Sequence, residues 1–295
     1  MKNIIKKLMY NVLFKTIKYQ GEISLGYIFH TEKIYDEIVF SNLILFCEKY
    51  YKLTGVKPIC TIVPPTNLLV KQEMLKNNVS EKNFIERLTM LEKVSTLGYH
   101  GHYYLNDTPT YINAIHCNSF NPVQLSRQFI RDIEWFKMNN INNNGIYAGG
   151  WWFLNEFLVK LLLKNNFKYD FSISYSPNFY NQYSISMGEE YNIDKGETFF
   201  IKDGINELMF IQNFIGLHNT KYPQDFIRNL QMLLPINDFL SISGVVNSHD
   251  YDLDINNTIN CISYLLENTS IKFCDFNKLI QFKSNIKNIF FEAKN

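Results

Sequence analysis

The chain has 295 residues, of which 46% are hydrophobic, so it can bury one sizeable core. Its 29 Lys and Arg residues against 28 Asp and Glu residues give a net charge of +1, which argues against nucleic-acid binding as the main function. No stretch reaches the roughly 18–20 apolar residues that a membrane-spanning helix needs.

Residues 1–20 predict a basic amphipathic helix. Ile4, Leu8 and Val12 recur at helical spacing, lysines interrupt the apolar face, and no small-residue cleavage site follows. We therefore expect no signal peptide and a cytoplasmic protein. Such a helix either packs against its own domain or lies on an anionic membrane surface as a peripheral contact.

Residues 21–295 predict a single domain, since no Pro-, Gly- or Ser-rich linker and no internal repeat divides them. Short apolar runs alternate with longer helical patterns, which favours a parallel α/β architecture. The predicted strands are Ile23–Phe29, Pro58–Val63, Ser95–Tyr99, Gly145–Ala148, Tyr169–Ser174, Leu208–Gln212, Ile242–Asn247 and Ile271–Cys274. The predicted helices are Glu37–Leu53, Glu81–Leu97, Gln124–Asn139, Leu154–Asn165, Tyr222–Leu233 and Asn256–Asn268. Residues 177–204 lack clear periodicity and predict an excursion or hairpin over one face of the barrel.

Histidines stand where several of these strands end. His30, His100 and His249 follow predicted strands, and His102 lies two residues beyond His100. Catalytic groups of α/β barrels lie at the carboxyl ends of the strands, so we expect these side chains to converge. Two imidazoles two residues apart project to the same side of a continuing strand and can form half of a divalent-metal site. The alternative is that they are ordinary polar loop residues.

The order of these segments resembles that of the polysaccharide deacetylases, a carbohydrate-esterase superfamily of metal-dependent enzymes that remove acetyl groups from N-acetylated sugars. IFHTEK (residues 28–33), then a helix, then KPICTIVPPTN (residues 57–67) is similar to the family's first aspartate motif and the strand after it. Residues 98–105 (GYHGHYYL) resemble its glycine–histidine segment. Residues 145–174 resemble its arginine-x-proline-x-glycine segment with the following helix and strand. Residues 245–252 (VVNSHDYD) resemble its last histidine motif.

The resemblance spans residues 23–279 and implies a distorted (β/α) barrel of about seven or eight strands. It implies a hydrolase that removes an N- or O-acetyl group from a sugar intermediate of cell-surface polysaccharide biosynthesis. The substrate would be a carbohydrate, a sugar nucleotide or a glycolipid. In the family, a divalent metal polarises the acetyl carbonyl and acidifies its bound water, an aspartate accepts a proton, and a histidine protonates the departing amine. By position, His249 keeps the acid and His100 keeps the first metal histidine.

Other positions depart from the family pattern. The base aspartate falls on His30 and the metal aspartate on Thr31. The second metal histidine falls on Tyr104, and the arginine that orients the base falls on Tyr147. A hydroxyl is a far poorer ligand for a divalent cation than a carboxylate or an imidazole, so the family's metal site is not complete in this chain.

Two catalytic interpretations follow. In the first, His30, His100 and His102, with Glu32 as a further candidate, bind one divalent metal, zinc before others, while His249 acts as the acid. Three imidazoles and a water are an ordinary catalytic zinc arrangement. In the second, no metal is bound, and His30 or His249 serves as a metal-free acid/base near neutral pH.

In a third interpretation the barrel has no catalytic activity and serves as a glycan-binding or scaffolding protein. Tyr104, Tyr147, Trp151 and Trp152 offer aromatic faces on which a sugar ring can stack. Together with Asp250, these aromatic residues are the candidate substrate contacts.

Overall fold

The computed structural model of the chain describes residues 23–110, 113–115, 121–173, 198–216, 242–281 and 287–290. The predicted N-terminal helix at residues 1–20 and the predicted helix Tyr222–Leu233 lie outside the described residues. Within the described ranges, no helix combines the length and the apolar character that crossing a bilayer requires.

The secondary structure alternates between strands and helices along most of the chain. The strands are β1 (Ile23–Thr31), β2 (Ile59–Ile62), β3 (Thr96–Gly101), β4 (Ile146–Gly149), β5 (Tyr169–Asp170), β6 (Phe199–Asp203), β7 (Asn206–Phe210), β8 (Asn213–Gly216), β9 (Ile242–His249), β10 (Ile271–Phe273) and β11 (Lys287–Phe290). The helices are α1 (Glu37–Thr54), α2 (Leu68–Lys76), α3 (Glu81–Val94), α4 (Pro122–Met138), α5 (Glu156–Lys164), α6 (Ile255–Asn268) and α7 (Phe276–Gln281). Short 3-10 turns at Gly150–Trp152 and Asp250–Asp252 follow β4 and β9 directly.

The strands form one sheet in the order β11-β6-β7-β5-β4-β3-β2-β1-β9-β8, and β10 pairs with the first residues of β1. Neighbouring strands are parallel, apart from the antiparallel pair β6 and β7. Among the described residues, no strand pairing joins β8 to β11. The predicted α/β class and distorted barrel architecture are confirmed in this form.

Side chains that alternate along each strand divide the core into two layers. On β1, Tyr27 and Phe29 pack against Phe46 of α1, with ring centroids 5.1 Å from that of Phe46 in both cases. Ile28 belongs to the other layer, where it clusters with residues such as Ile146. The first layer lies between sheet and helices, and the second fills the concave side of the sheet.

Every predicted strand overlaps a strand of the structure, but α2, α7, β6, β8 and β11 were not predicted. Helix α2 begins after Asn67, whose side chain accepts hydrogen bonds from the backbone N–H groups of Leu69 and Val70. Strand β6 pairs with β7 through a turn at Gly204, where φ is 58°. Residues 177–204 were predicted to form an excursion or a hairpin. The described part of that region, from residue 198 onward, includes β6 and the turn of a hairpin with β7.

Candidate active site

A cavity of about 480 Å³ opens where β1, β2, β3, β4 and β9 end. The structure brings all four histidines of the sequence analysis to this cavity, as expected from their places at strand ends. The residues that line it are His30, Glu32, Lys33, Tyr35, Val63, Asn67, Leu69, Val70, His100, His102, Tyr104, Trp151, Trp152, His249 and Tyr251. Since His30 and His100 have the parity of the inner-layer residues of their strands, both project into the concave side of the sheet.

Three donor atoms converge on one point of this cavity. The Nε2 atoms of His100 and His102 are 3.0 Å apart. Oε1 of Glu32 lies 3.2 Å from Nε2 of His102 and 3.5 Å from Nε2 of His100. Among the described residues, these three form a group whose ligand atoms could hold one metal ion.

The spacing of this group fits a divalent metal. Ligand atoms at zinc's usual distances in tetrahedral geometry lie about 3.3 Å from one another, close to the three separations of Glu32, His100 and His102. Two imidazoles and a carboxylate are also an established donor set for catalytic zinc. The residues present therefore suit the metal that the family resemblance implies.

His100 is oriented by the strand beside it. Its Nδ1 lies 2.9 Å from the carbonyl oxygen of Ala148 at the end of β4, and Nδ1–H donates to that oxygen. This contact leaves the lone pair of Nε2 directed at the cavity, as a metal ligand requires. Burial lowers the pKa of His100 to about 4, which keeps the imidazole neutral.

His102 is held from the neighbouring loop. The side-chain amide of Asn67 donates a hydrogen bond of 2.9 Å to the carbonyl oxygen of His102. Because Asn67 also caps α2, the position of His102 depends on where that helix begins.

Asp250 fixes the loop that presents Glu32. Its buried carboxylate accepts the backbone N–H of Glu32 at 3.1 Å and that of Lys33 at 2.7 Å. Burial raises the pKa of Asp250 to about 7, although these backbone donors act in the opposite direction. Burial alone would also raise the pKa of Glu32, but His102 and His100 hold it well below its ordinary value. Asp250 does not line the cavity, so its position disagrees with a role as a substrate contact.

His30 stands beside the donor group but is not part of it. Its ring centroid lies 4.6 Å from that of His100 and 5.4 Å from that of His249. Its Nε2 is buried without a hydrogen-bond partner, and burial lowers its pKa well below the ordinary value. Of the predicted ligands His30, His100 and His102, with Glu32 as a further candidate, the three whose atoms converge among the described residues are Glu32, His100 and His102.

His249 is the last residue of β9, which lies on the other side of β1 from β3. Its Nε2 is 3.7 Å from Oε1 of Glu32, and its Nδ1 is 4.0 Å from Oδ2 of Asp252. The ring is 28% exposed, more than that of His100, so His249 is the histidine more open to the cavity. Burial lowers its pKa, so the imidazole is neutral near pH 7.

Two tryptophans cover the histidines. The ring of Trp151 lies 4.2 Å from that of His102, and the ring of Trp152 lies 5.1 Å from that of His30. Both have positive φ angles, 51° and 58°, which cost on the order of 1–3 kcal/mol each for residues other than glycine. Tyr104 also lines the cavity, with its ring 6.0 Å from Trp151. These three predicted contacts all face the space that a substrate would occupy.

Tyr147 is placed differently from the prediction. It is fully buried in the layer between sheet and helices, where its ring lies 5.4 Å from Tyr99 and 6.1 Å from Phe167. It does not line the cavity. Side chains alternate between the two faces of β4, so Tyr147 points away from the cavity. This position disagrees with its predicted role as a substrate contact.

Several lining residues were missed by the sequence analysis. Lys33 stands at the rim with its ammonium 4.2 Å from the ring centre of Tyr251. Val63, Leu69 and Val70 form an aliphatic wall from the end of β2 and the start of α2. The signal for this wall was the carboxyl end of the predicted second strand, where the same rule that located the histidines applies.

Comparisons with known proteins support the fold. No protein-family model matches the chain, and no curated protein matches it. A solved structure named as a polysaccharide deacetylase from Mycobacterium smegmatis matches with a TM-score of 0.55 and 9% sequence identity, over 89% of this chain and 90% of that one. The 4-alpha-glucanotransferase of Thermococcus litoralis matches with a TM-score of 0.54 and 11% identity over 92% of this chain. The present chain spans only 42% of the glucanotransferase.

The shared feature of these matches is the fold. It confirms the distorted α/β barrel that the order of segments implied, at an identity low enough for the site residues to have diverged. Function therefore has to be argued from the cavity itself.

Proposed function

We propose that this protein is a metal-dependent hydrolase that removes an N- or O-acetyl group from a carbohydrate. The observation behind the proposal is the convergence of Glu32, His100 and His102 within a metal-sized space, beside His249, on a deacetylase-like barrel. In this arrangement His100 keeps the position of the family's first metal histidine, whereas Glu32 and His102 stand at positions other than those of the family's remaining two ligands.

The reaction adds water across the acetyl carbonyl and breaks the C–N or C–O bond, giving acetate and an amine or alcohol. Glu32, His100 and His102 would hold a divalent ion, zinc before others because imidazole and carboxylate donors suit it. A bound ion supplies Lewis acidity toward the carbonyl and lowers the pKa of water. Since neighbouring groups hold the side chain of His100 and the backbone of His102 and Glu32, the site is preorganised.

His249 and His30 are the residues that can move protons. Both are kept neutral near pH 7 by burial, so each has a ring nitrogen able to accept a proton. His249 is the more exposed, and we assign it a proton relay, in which it accepts a proton from the attacking water and then donates that proton to the leaving group. His30 stands at the position of the family's base aspartate, and its unpartnered Nε2 suits a proton acceptor.

The sugar would occupy the part of the cavity bounded by Trp151, Trp152 and Tyr104. Aromatic faces beside a polar reaction centre are the usual arrangement for small polar ligands with apolar ring faces. For the pathway, we propose a sugar intermediate of cell-surface polysaccharide assembly, and the family resemblance is the support for it.

The proposal is tested by metal content and acetate release. Purified protein should retain or take up one equivalent of zinc, and should release acetate from N-acetylated or O-acetylated oligosaccharides. Glu32→Gln and His100→Ala should abolish both properties. Ser95→Ala is the matched control, because Ser95 is a buried residue just before β3, at the end of the strand away from the cavity, and its hydroxyl donates to the backbone carbonyl of Leu91.

A protein that binds no metal and releases no acetate would overturn this function. Two features favour one other candidate, a glycan-binding barrel without catalysis. The family's base aspartate is missing, and aromatic side chains line the cavity. In that case isothermal titration would show oligosaccharide binding that Trp151→Ala weakens and Glu32→Gln leaves unchanged.

A further inference from the structure

One short segment contacts three of the four site histidines. The carbonyl of Ala148 accepts the hydrogen bond of His100, Trp151 packs on His102, and Trp152 packs on His30. Any displacement of residues 148–152 would therefore move the surroundings of three histidines together.

The beginning of this segment is held by a buried pair of residues from the next strand. The backbone N–H of Gly149 donates to Oγ of Ser172 at 2.8 Å. Oγ–H of Ser172 donates to Oδ2 of Asp170 at 3.0 Å, and its backbone N–H donates to Oδ1 at 2.8 Å. Asp170 and Ser172 are both fully buried, and neither lines the cavity.

Hydrogen-bond chemistry determines which group donates and which accepts among Gly149, Ser172 and Asp170. A serine hydroxyl has one proton, and here the carboxyl of Asp170 accepts it. The lone pairs of Oγ are thereby left for the N–H of Gly149. Burial raises the pKa of Asp170 to about 7, so the chain keeps a carboxyl group in a place that disfavours its charge.

The segment also has little room to shift. A methyl group on Gly150 would collide with the ring of His102, and one on Gly149 would collide with the carbonyl oxygen of Phe153. The glycines therefore permit a close approach of the backbone to the histidine ring. A hydrogen bond that places Gly149 also places the backbone against which His102 rests.

We propose that Asp170 and Ser172 are positioning residues of the active site. By holding Gly149, they fix residues 148–152 and through them the orientation of His100 and His102. This inference rests on the proposed function, since it assigns the pair to the same metal site. It adds two residues that touch neither the cavity nor the donor atoms.

The test compares Ser172→Ala with Ser95→Ala, since each removes one buried serine hydroxyl. Zinc affinity is measured by competition with a chromogenic chelator, and cobalt(II) absorption reports the geometry of the ligands. Ser172→Ala should weaken zinc binding about 10–100-fold and change the cobalt spectrum, as loss of a group that orients ligands does elsewhere. Ser95→Ala should leave both at the wild-type value.

A metal-free measurement separates this inference from the proposed function. Trp151 and Trp152 are two of the three tryptophans, so near-ultraviolet circular dichroism of the apoprotein reports the segment. The tryptophan signal should change in Ser172→Ala and stay unchanged in Ser95→Ala. If wild-type protein bound no zinc, the proposed function would fail, while this spectral difference would still support the positioning pair.

Asp170→Asn covers the case in which Ser172→Ala does not fold. It keeps the side-chain volume and an acceptor for the N–H of Ser172, and it disturbs the acceptor of the hydroxyl. Its effects should have the same direction as those of Ser172→Ala and be smaller. Folded variants with wild-type tryptophan spectra and wild-type zinc affinity would overturn the inference.

Discussion

The two faces of β3 show how one strand serves two different regions of the protein. His100 and His102 face the cavity, whereas Tyr99 and Tyr103 face the helix layer. On the helix side, the hydroxyl of Tyr99 lies 3.0 Å from that of Tyr103 and 2.8 Å from Oδ2 of Asp132. Both regions are buried and rich in polar groups, but their polar atoms have different partners.

The two regions differ in the hydrogen-bond partners of their central polar atoms. In the tyrosine region, Asp132 also accepts the hydroxyl of Thr66 at 2.6 Å, so both of its oxygens have partners. In the cavity, two imidazole nitrogens stand 3.0 Å apart, and the Nε2 of His30 has no partner. A carboxyl group with partners on both oxygens stabilises the fold, and a ring nitrogen that lacks a partner is suited to receiving a ligand. Changes on the two faces should therefore affect different measurements.

The largest expected effect is the loss of metal binding in His102→Ala. The substitution removes one of three converging donor atoms, so zinc affinity should fall by more than about 100-fold, beyond what loss of an orienting partner causes. Chelator competition on the purified variant measures this. Ser95→Ala is the control, and a His102→Ala variant with wild-type zinc affinity would show that His102 is not a ligand.

The next largest expected effect is a pH dependence of the free energy of unfolding, and it arises from Asp132 in the tyrosine region. Burial raises the pKa of Asp132 to about 6 from an ordinary value of 3.8, while Thr66, Tyr99 and Arg131 act in the opposite direction. The folded state thus binds this proton more tightly than the unfolded state. The stabilisation from Asp132 is fully present below about pH 4 and is lost as the pH rises through about 6.

Asp132→Asn should remove this pH dependence. The difference in free energy of unfolding between wild type and variant should change by about 2 kcal/mol between pH 4 and pH 7, in the direction that favours the variant at the higher pH. Urea denaturation at a series of pH values measures it. A constant difference across that range would contradict the assignment, and zinc affinity should stay unchanged throughout.

A third prediction returns to the cavity face. Asp250→Asn replaces one acceptor of the loop N–H groups by a donor, so Glu32 should lose its fixed position. We expect zinc affinity to fall about 10–100-fold, less than in His102→Ala because all three donor atoms remain. Asp254→Asn is the matched control, since Asp254 caps α6 and asparagine caps a helix equally well. Equal zinc affinities in the two variants would show that Asp250 does not position Glu32 for metal binding.

Local pattern was enough to predict much of this arrangement. Period-two alternation and the strand-end rule placed His30, His100 and His249 at one rim, and the structure brings them to one cavity. The identity of the third metal donor could not be derived in the same way. Glu32 reaches His102 because of a loop conformation that Asp250 fixes from 218 residues away in sequence.

Tyr147 shows the opposite case. The strand pattern of the sequence predicts the direction of its side chain, whereas the family resemblance suggested a different one. Position in a motif assigned Tyr147 to the arginine that orients the base, which suggested a place in the site. The alternation of β4, with Ile146 and Ala148 on the concave side, requires Tyr147 to face the helices. Alternation along a strand decides the direction of a side chain, whereas alignment to a divergent motif does not.

The smallest predicted effect concerns Tyr103, the residue next to His102. Tyr103→Phe removes a hydroxyl that contacts the hydroxyl of Tyr99 and keeps the ring that packs near Phe153. Tyr99 retains its bond to Asp132, so the free energy of unfolding should fall by only about 1 kcal/mol, the usual worth of a neutral hydrogen bond. Urea denaturation measures this loss, and chelator competition should give wild-type zinc affinity. Two adjacent residues would then have separate effects, His102 on metal binding and Tyr103 on stability, whereas weakened zinc binding in Tyr103→Phe would show that the two faces of β3 are coupled.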